Sequence, residues 1–424
     1  MHSQIQPQIS ALRFQQTRDQ TMALVAGLSA EDCALQSMPD ASPTKWHLAH
    51  TTWFFEVFVL EAFEAHFKPF DEAFRVLFNS YYNGVGEKHP RPQRGMISRP
   101  NLDRVLAYRR EIEQRVTALL HKQSNNLELA RVVELGINHE QQHQELLLTD
   151  LKHLFSLNPL KPAYRSGWPL VTVTRAPTTW LSFAGGLFTV GRDAGDFCFD
   201  NETPAHQQFL QPFEMCSEPI LNADVLEFID AKGYQRPELW LSMGWDWVQS
   251  ENRTAPQYWR ADDADPWMVF TLRGECTISP DVPTTHLAYF EADAIARWRG
   301  ARLPTEAQWE QAAQSMPIQG NFLESGVFHP LALQHSSNSG VSELIQLWGD
   351  SWEWTQSAYS AYPGFKAAAG ALGEYNGKFM CNQFVLKGGS CATPQAHIRQ
   401  TYRNFFPPHV SWQFTGARLV RDLT

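Results

Sequence analysis

Two histidines in the stretch GINHEQQHQELLLTDLKH have the spacing of metal ligands. They are His139 and His143, with Glu140 beside the first and Gln142 beside the second. On a helix, residues four apart share one face and lie about one turn from each other. That face also carries apolar residues, so the pair points into a core, where unsatisfied imidazoles are costly. Two hydrogen-bonded core histidines are the simpler interpretation, but the pairing favours metal ligation.

The order His-Glu-x-x-His is also the signature of zinc proteases, in which the Glu acts as general base. A protease of this kind needs a third ligand downstream. The sixth residue after His143 is Thr149, and residues 158–175 contain no acidic residue. The sequence therefore does not support a protease.

A third imidazole is available upstream. The stretch KWHLAH carries His47 and His50 on one face of an earlier predicted helix. Facing helices of a bundle can bring such side chains to one metal ion. Three neutral ligands on one side leave the opposite positions open, as in facial non-haem iron sites, here with a histidine replacing the carboxylate. Zinc would accept the same ligands, so this pattern alone does not choose the metal.

The elements that must position these residues are predicted to be helices up to about residue 160. A first helix is expected near residues 8–28, and Ser42 or Thr44 is expected to cap the next one. Three further segments have the 3.6-residue apolar period of amphipathic helices. They read SPTKWHLAHTTWFFEVFVLEAF, DRVLAYRREIEQRVTALLHK and ELARVVELGINHEQQHQELLLTDLKHLF. Together these segments predict a four-helix bundle.

After about residue 160 the pattern changes to short strands with Gly and Pro turns. WLSFAGGLFTVGRD predicts a hairpin about Gly185 and Gly186. Helices return at NADVLEFIDAKG and THLAYFEADAIARWRG. The predicted fold class is α+β, with a helical domain over 1–160 and a second domain of irregular strands over 161–424.

Composition excludes several classes of partner. The net charge is −10 and no run of Lys or Arg is present, which argues against a nucleic-acid surface. The first residues have no apolar signal-peptide core, and no apolar run approaches the ~20 residues that cross a bilayer. The six cysteines form no C-x-x-C pair, which favours a reduced, cytoplasmic protein. The oligomeric state is not readable.

The motifs LAHTTWFFE, SYYNGVGEKHPRPQRGMISRP and NHEQQHQELLLTD resemble the DinB-like domain of the sulfoxide synthases of ergothioneine biosynthesis. The motifs FDNETPAHQ, RLPTEAQWEQAA, LWGDSWEWTQSAY, VLKGGSCATPQ and FTGARLVRD are similar to the formylglycine-generating-enzyme/sulfatase-modifying domain, a C-type-lectin-like fold. The two resemblances cover nearly the whole chain in the order that the family uses. They imply that the second domain completes the substrate pocket.

The resemblance implies an oxidoreductase that uses iron(II) and O2. Its implied iron ligands are His50, His139 and His143, with His47 outside the primary ligand set. The implied reaction joins a thiol to C2 of the imidazole of hercynine (Nα-trimethylhistidine) and gives a sulfoxide. Formylglycine generation is not expected, because it uses two cysteines shortly after GGS, and those positions are Thr393 and Ile398.

Implied hercynine contacts lie in both halves of the sequence. Gln142 matches the residue that contacts the imidazole, and Asn404 the one that holds the carboxylate. Phe405, Phe406 and Trp412 would surround the trimethylammonium cation, which binds well to aromatic faces. The simpler interpretation of the two Phe residues is core packing.

Tyr81 and Tyr82 are candidates for the donor of a proton or electron, as in one subgroup of the family. The alternatives are a structural pair beside the Asn-Gly turn, or Tyr375 as the donor. For the carboxylate of the sulfur donor, Arg94 and Arg99 are candidates, and Arg99 is the better match to the family.

The identity of the donor stays open. The subgroup that uses γ-glutamylcysteine has an Asp and an Arg where this chain has Phe406 and Val410, which favours cysteine. Selenoneine synthases share both domains and the three histidines but take a selenosugar. Two further alternatives are a zinc DinB-type thiol transferase, which would not need the second domain, and a lectin-like binding module, which would not need converging histidines.

Overall fold

The computed structural model describes residues 7–167, 178–193, 195–261, 266–333 and 343–423. The chain divides into two compact units. The helical unit comprises Met1–Leu157 and Ala368–Tyr375, and the mixed unit comprises Asn158–Ala367 and Asn376–Thr424. The predicted α+β class is confirmed: the first part of the chain is helical, and the strands lie in the second.

The helices of the first part of the chain are α1 (Pro7–Val25), α2 (Ala30–Ala34), α3 (Thr44–Phe55), α4 (Glu61–Phe63), α5 (Phe74–Leu77), α6 (Leu102–Lys122) and α7 (Leu127–Leu157). A π-helical turn, Glu56–Leu60, joins α3 to α4. The later helices are α8 (Asn222–Asp230), α9 (Ser242–Ser250), α10 (Tyr289–Trp298), α11 (Glu306–Ala313) and α12 (Glu374–Gly377).

The start of α3 differs from the prediction. Its N-cap residue is Pro43, which has no side-chain oxygen to accept a hydrogen bond. Ser42 is engaged elsewhere, because its backbone N–H donates to Asp150 and its hydroxyl accepts from Arg94. Neither Ser42 nor Thr44 caps the helix, so that expectation was wrong. The tertiary contacts of Ser42 outcompete a local cap.

Helices α3 and α7 approach each other closely at Gly136. A methyl group added at this position would lie 2.5 Å from a ring carbon of Phe55, well inside van der Waals contact. Any side chain there would push the two helices apart. Gly136 precedes His139 by less than one turn, so the close approach also brings the predicted ligand face of α7 towards α3.

The strands of the mixed unit are short. They are β1 (Trp180–Phe183), β2 (Gly186–Val190), β3 (His206–Leu210), β4 (Phe213–Pro219), β5 (Trp259–Arg260), β6 (Met268–Thr271), β7 (Gly274–Thr277), β8 (Trp352–Ala358), β9 (Phe384–Lys387), β10 (Asn404–Phe406), β11 (Thr415–Gly416) and β12 (Arg418–Asp422). They form sheets of order β1-β4-β12, β10-β9-β8-β11, β2-β3 and β5-β6-β7.

The predicted hairpin about Gly185 and Gly186 is wrong. Both flanking segments are strands, but β1 pairs with β4 and β2 pairs with β3, each antiparallel. At Gly185 the chain passes against Pro212, whose ring lies 2.7 Å from where a Cβ would be. Alternating apolar residues identify a strand but not its partner.

Among the described helices, none combines the length and the apolar character needed to cross a membrane. The cysteines are free thiols, and Cys33, Cys216 and Cys391 are buried.

Candidate metal centre

Three imidazoles meet in the helical unit. His50 projects from α3, and His139 and His143 project from α7. One ring nitrogen from each residue lies within 4.8 Å of the other two. The ring centroids are 4.6–5.0 Å apart. Among the described residues, this is the one group of three or more His, Cys, Asp or Glu side chains with the geometry to hold a metal ion.

Protein hydrogen bonds determine which nitrogen of each ring remains available. Nδ1 of His50 lies 2.7 Å from the carbonyl oxygen of Phe78, and Nδ1 of His143 lies 2.9 Å from Nδ1 of His47. These contacts leave Nε2 of His50 and of His143 for a ligand bond. Nδ1 of His139 is buried and has no hydrogen-bond partner among the described residues. Such an orphaned polar atom is costly in an apolar setting.

Burial keeps the three imidazoles neutral. Removal from water, followed by repulsion from His139, lowers the pKa of His50 well below its ordinary value. Burial lowers the pKa of His139 to about 4. Burial and the neighbouring imidazoles likewise lower the pKa of His143. A neutral imidazole offers a lone pair to a metal, whereas an imidazolium does not.

Aromatic side chains hold two of the ligand rings in place. His50 lies between Trp46 and Trp53, with centroid distances of 4.5 and 5.6 Å and interplanar angles of 13° and 17°. His139 stacks on Phe54 at 4.7 Å. Packed rings of this kind restrict rotation, so the donor atoms are preorganised. Three preorganised neutral imidazoles fit iron(II), and they also fit zinc.

Glu140 is not placed to act as a base. It is fully buried and accepts hydrogen bonds from Arg18, Arg109 and Thr21 at 2.6–2.8 Å. Burial alone would raise the pKa of this carboxyl group, but Arg109 and Arg18 outweigh it and lower the pKa to about 2. Glu140 therefore joins α7 to α1 and α6 as the buried anion of an ion-pair network.

Of the two arginines proposed for the donor's carboxylate, Arg94 is buried and Arg99 is exposed. Arg94 stacks over Trp46 at 3.4 Å and donates to the hydroxyls of Ser42 and Ser80. Its Nε has no partner, and no carboxylate of the described residues pairs with it. Burial lowers the pKa of Arg94 to about 9, so the group stays cationic at neutral pH. No carboxylate of the described residues forms a direct ion pair with this buried cation, although Asp150 is near enough to favour its charge. It lies beside the ring that stacks on His50.

The two candidate tyrosines have different surroundings. Tyr82 is buried, and its ring lies 5.6 Å from Trp53 and 6.3 Å from Phe54, the residues that flank two of the imidazoles. The hydroxyl of Tyr81 accepts from Arg91 at 2.5 Å. The ring of Tyr81 also lies 6.1 Å from that of Tyr375, in the segment that returns to the helical unit. Burial raises the pKa of Tyr375.

The predicted hercynine residues of the mixed unit lie around β10. Because side chains alternate along a strand, Phe405 faces the opposite side from Asn404 and Phe406. Phe405 stacks on Tyr359 at 4.0 Å and lies 5.8 Å from Phe379. Phe406 packs against the hydrophobic core. The three residues therefore do not share one side of the strand.

The remaining predicted residues are distributed as follows. Gln142 is half-buried on α7 next to His143. Trp412 is half-buried, and its indole nitrogen has no partner among the described residues. Arg403 is buried and pairs with Glu306, and Arg418 is buried and pairs with Glu353. Both arginines therefore form ion pairs that stabilise the fold.

One contact of the metal centre was not predicted. Nε2 of His47 lies 3.0 Å from a carboxylate oxygen of Asp150, while Nδ1 of the same ring reaches His143. Asp150 follows His143 by seven residues, which is two helical turns, so both lie on one face of α7. The seven-residue spacing of His143 and Asp150 could therefore have predicted from the sequence that Asp150 lies on the ligand face.

Known proteins match both halves of the chain. The sulfatase-modifying factor enzyme 1-like domain family matches residues 171–423, and the DinB superfamily matches residues 13–147. The hercynine oxygenase of Mycobacterium tuberculosis is 30% identical over 98% of this chain and 99% of its own. The chain belongs to the hercynine oxygenase family. The hercynine oxygenase of Mycolicibacterium smegmatis is 32% identical over 68% of this chain and 71% of its own.

The ergothioneine biosynthesis protein 1 of Schizosaccharomyces pombe is a more distant relative of this chain. It is 25% identical over 53% of this chain and 28% of its own length. The resemblance drawn from the sequence motifs is confirmed. The roles of individual residues stay predictions.

Proposed function

We propose that this protein is an iron(II)- and O2-dependent oxygenase that joins hercynine to a thiol, with cysteine as the preferred donor. The balanced reaction consumes one thiol, one hercynine and one O2 and gives one sulfoxide and one water. The C2–H and S–H bonds break, a C–S bond forms, one oxygen atom enters the sulfoxide and the other leaves as water.

The observation that carries this proposal is the convergence of His50, His139 and His143 within 4.8 Å. Iron(II) held by these three neutral imidazoles would supply the activation of O2. The family relationship supports hercynine as the second substrate. A zinc thiol transferase would use the same ligands, but it does not account for a sulfatase-modifying domain over residues 171–423.

Binding of hercynine needs groups for a cation, a carboxylate and an imidazole. A trimethylammonium group cannot donate a hydrogen bond, so aromatic faces are its natural partners. The stacked rings of Phe405 and Tyr359, with Phe379 beside them, supply such faces. The family pattern assigns the imidazole to Gln142 and the carboxylate to Asn404. Because Asn404 and Phe405 face opposite sides of β10, these two residues are alternative anchors for the carboxylate and trimethylammonium groups, which hercynine carries on one carbon.

Arg94 is the better candidate for the carboxylate of the thiol donor. A buried guanidinium with no directly paired carboxylate is unfavourable, and a bound carboxylate would compensate it. Arg99 is exposed and would give a weaker, solvent-screened contact. Phe406 and Val410 stand where a γ-glutamyl group would be bound in the related subgroup, which supports the smaller donor. A selenosugar donor, which would make the enzyme a selenoneine synthase, is the alternative.

Tyr82 is the candidate phenol for the reaction. Its ring packs on Trp53, which stacks on His50. A phenol ordinarily titrates near pH 10, so it can donate a proton at neutral pH. Tyr81 and Tyr375 form a second pair, which we assign a supporting role.

The test of this proposal is an anaerobic reconstitution with iron(II) or zinc(II), followed by addition of O2 and hercynine. Three donors are compared: cysteine, γ-glutamylcysteine and a selenosugar. We expect O2 uptake only with iron, with cysteine as the fastest donor. His139→Ala is the inactive control. Fastest turnover with the selenosugar would reassign the enzyme as a selenoneine synthase. Donor turnover with zinc and without O2 uptake would refute an oxygenase.

A further inference from the structure

A chain of hydrogen bonds leads from a buried carboxylate to one of the three imidazoles. Asp150 on α7 lies 3.0 Å from Nε2 of His47 on α3, and Nδ1 of His47 lies 2.9 Å from Nδ1 of His143. The same Asp150 oxygen accepts from the backbone N–H of Ser42 at 2.8 Å. His47 and Asp150 are 3% and 7% exposed, so bulk water does not compete for these contacts.

The chemistry of Asp150, His47 and His143 determines which group donates each hydrogen bond. An ionised carboxylate only accepts hydrogen bonds, so Nε2 of His47 must carry the proton. In a neutral ring Nδ1 of His47 then holds a lone pair and accepts from His143. His143 therefore carries its proton on Nδ1, which leaves the lone pair on Nε2. The reverse direction would place a proton on Nε2 of His143 and block it as a ligand.

We propose that Asp150 and His47 are positioning residues that hold His143 in its metal-binding tautomer and strengthen it as a donor. The inference rests on the proposed metal centre. Carboxylate-linked histidines are stronger metal ligands, and loss of such a link typically weakens metal binding about 10–100-fold. His47 thus acts through His143 and does not touch the metal.

The link distinguishes His143 from the other two imidazoles. Nδ1 of His50 meets an uncharged backbone carbonyl, and Nδ1 of His139 has no hydrogen-bond partner among the described residues. A carboxylate is a stronger acceptor than a carbonyl. Loss of these hydrogen bonds should therefore weaken His143 alone among the three candidate ligands.

The experiment measures metal binding by the full chain, independently of turnover. The variants are His47→Phe, His47→Gln, Asp150→Asn and the double variant His47→Phe/Asp150→Asn. His153→Gln is the control, because it removes another imidazole from α7 whose Nδ1 bonds to Ser37. Iron(II) affinity is measured anaerobically by competition with a chromogenic chelator. Cobalt(II) spectra report the ligand geometry, and melting of the metal-free protein reports folding.

We expect His47→Phe to raise the iron dissociation constant about 10–100-fold and to change the cobalt spectrum. Asp150→Asn can keep both hydrogen bonds without the charge, so its effect should be smaller. The Gln side chain can accept from His143 and donate to Asp150, so His47→Gln should recover part of the affinity. The double variant should bind no worse than His47→Phe, because the two residues act in series. His153→Gln should match the parent.

Unchanged iron affinity and cobalt spectrum in folded His47→Phe would overturn the inference. Additive losses in the double variant would also overturn it, because independent contributions contradict a chain. If His47→Phe does not fold, Asp150→Asn decides: parent affinity together with a parent cobalt spectrum would refute the link. Failure of the proposed function looks different, since the parent itself would then bind iron without consuming O2, or would not bind it.

Discussion

Replacing Glu140 tests whether the glutamate of the His-Glu-x-x-His string supports the fold or the chemistry. Glu140→Ala leaves the buried guanidinium groups of Arg18 and Arg109 without their main shared anion. Among the described residues, Glu113, which is partly exposed, is then the carboxylate that still pairs with them. Removing one partner of a buried ion pair costs about 3–5 kcal/mol. Since about 1 kcal/mol shifts the melting temperature of a unit this size by about 2–4 °C, we expect a loss of about 6–20 °C.

The assay is thermal unfolding of the iron-loaded protein followed by far-UV circular dichroism, which is dominated by the helices. Glu134→Ala is the matched control, on the same helix and also paired with an arginine of α1. Its partner Arg13 has a side chain that is 36% exposed, so the cost should be about 0–1 kcal/mol. Below its melting temperature Glu140→Ala should keep its iron and its turnover. A variant with parental melting and iron content but no turnover would show that Glu140 is a catalytic acid or base.

Three further predictions concern the substrate residues. Tyr82→Phe should lower sulfoxide formation and raise sulfinic acid formation from the thiol, measured as the ratio of the two products. Tyr81→Phe should change this ratio less. A larger change in Tyr81→Phe than in Tyr82→Phe would make Tyr81 the donor. Phe405→Ala should weaken hercynine binding more than binding of plain histidine, measured by calorimetry, and equal losses would remove the cation-binding argument. Arg94→Met should raise KM for cysteine at least about tenfold, because loss of a charged contact costs about 1.4 kcal/mol or more. The KM of Arg99→Met should stay near that of the parent.

The helices and the ligand set illustrate what a sequence can reveal. The 3.6-residue apolar period located α6 and α7, because burial of one face dictates that period. The four-residue spacing of His139 and His143 placed both on one face of α7, and His50 joins them from α3. Short-range spacing within a helix is a geometric constant, so these features were readable.

Long-range features were not readable in the same way. The strand β1 was recognisable, but its pairing with β4 instead of β2 depends on chain positions far apart in sequence. The return of Tyr375 to the helical unit likewise depends on the course of the intervening chain. The cap expected at Ser42 failed because that residue bonds to Asp150 and Arg94, which no local pattern encodes.

The most direct test of the central claim is a single stoichiometry measurement. The parent enzyme, loaded anaerobically with iron(II), is mixed with hercynine, cysteine and a known amount of O2, and the product mass is determined. We expect one O2 to be consumed per product, with a product mass equal to hercynine plus cysteine plus one oxygen atom minus two hydrogen atoms, and no product from the zinc-loaded enzyme. A product without the added oxygen, or product formation with zinc in the absence of O2, would contradict it.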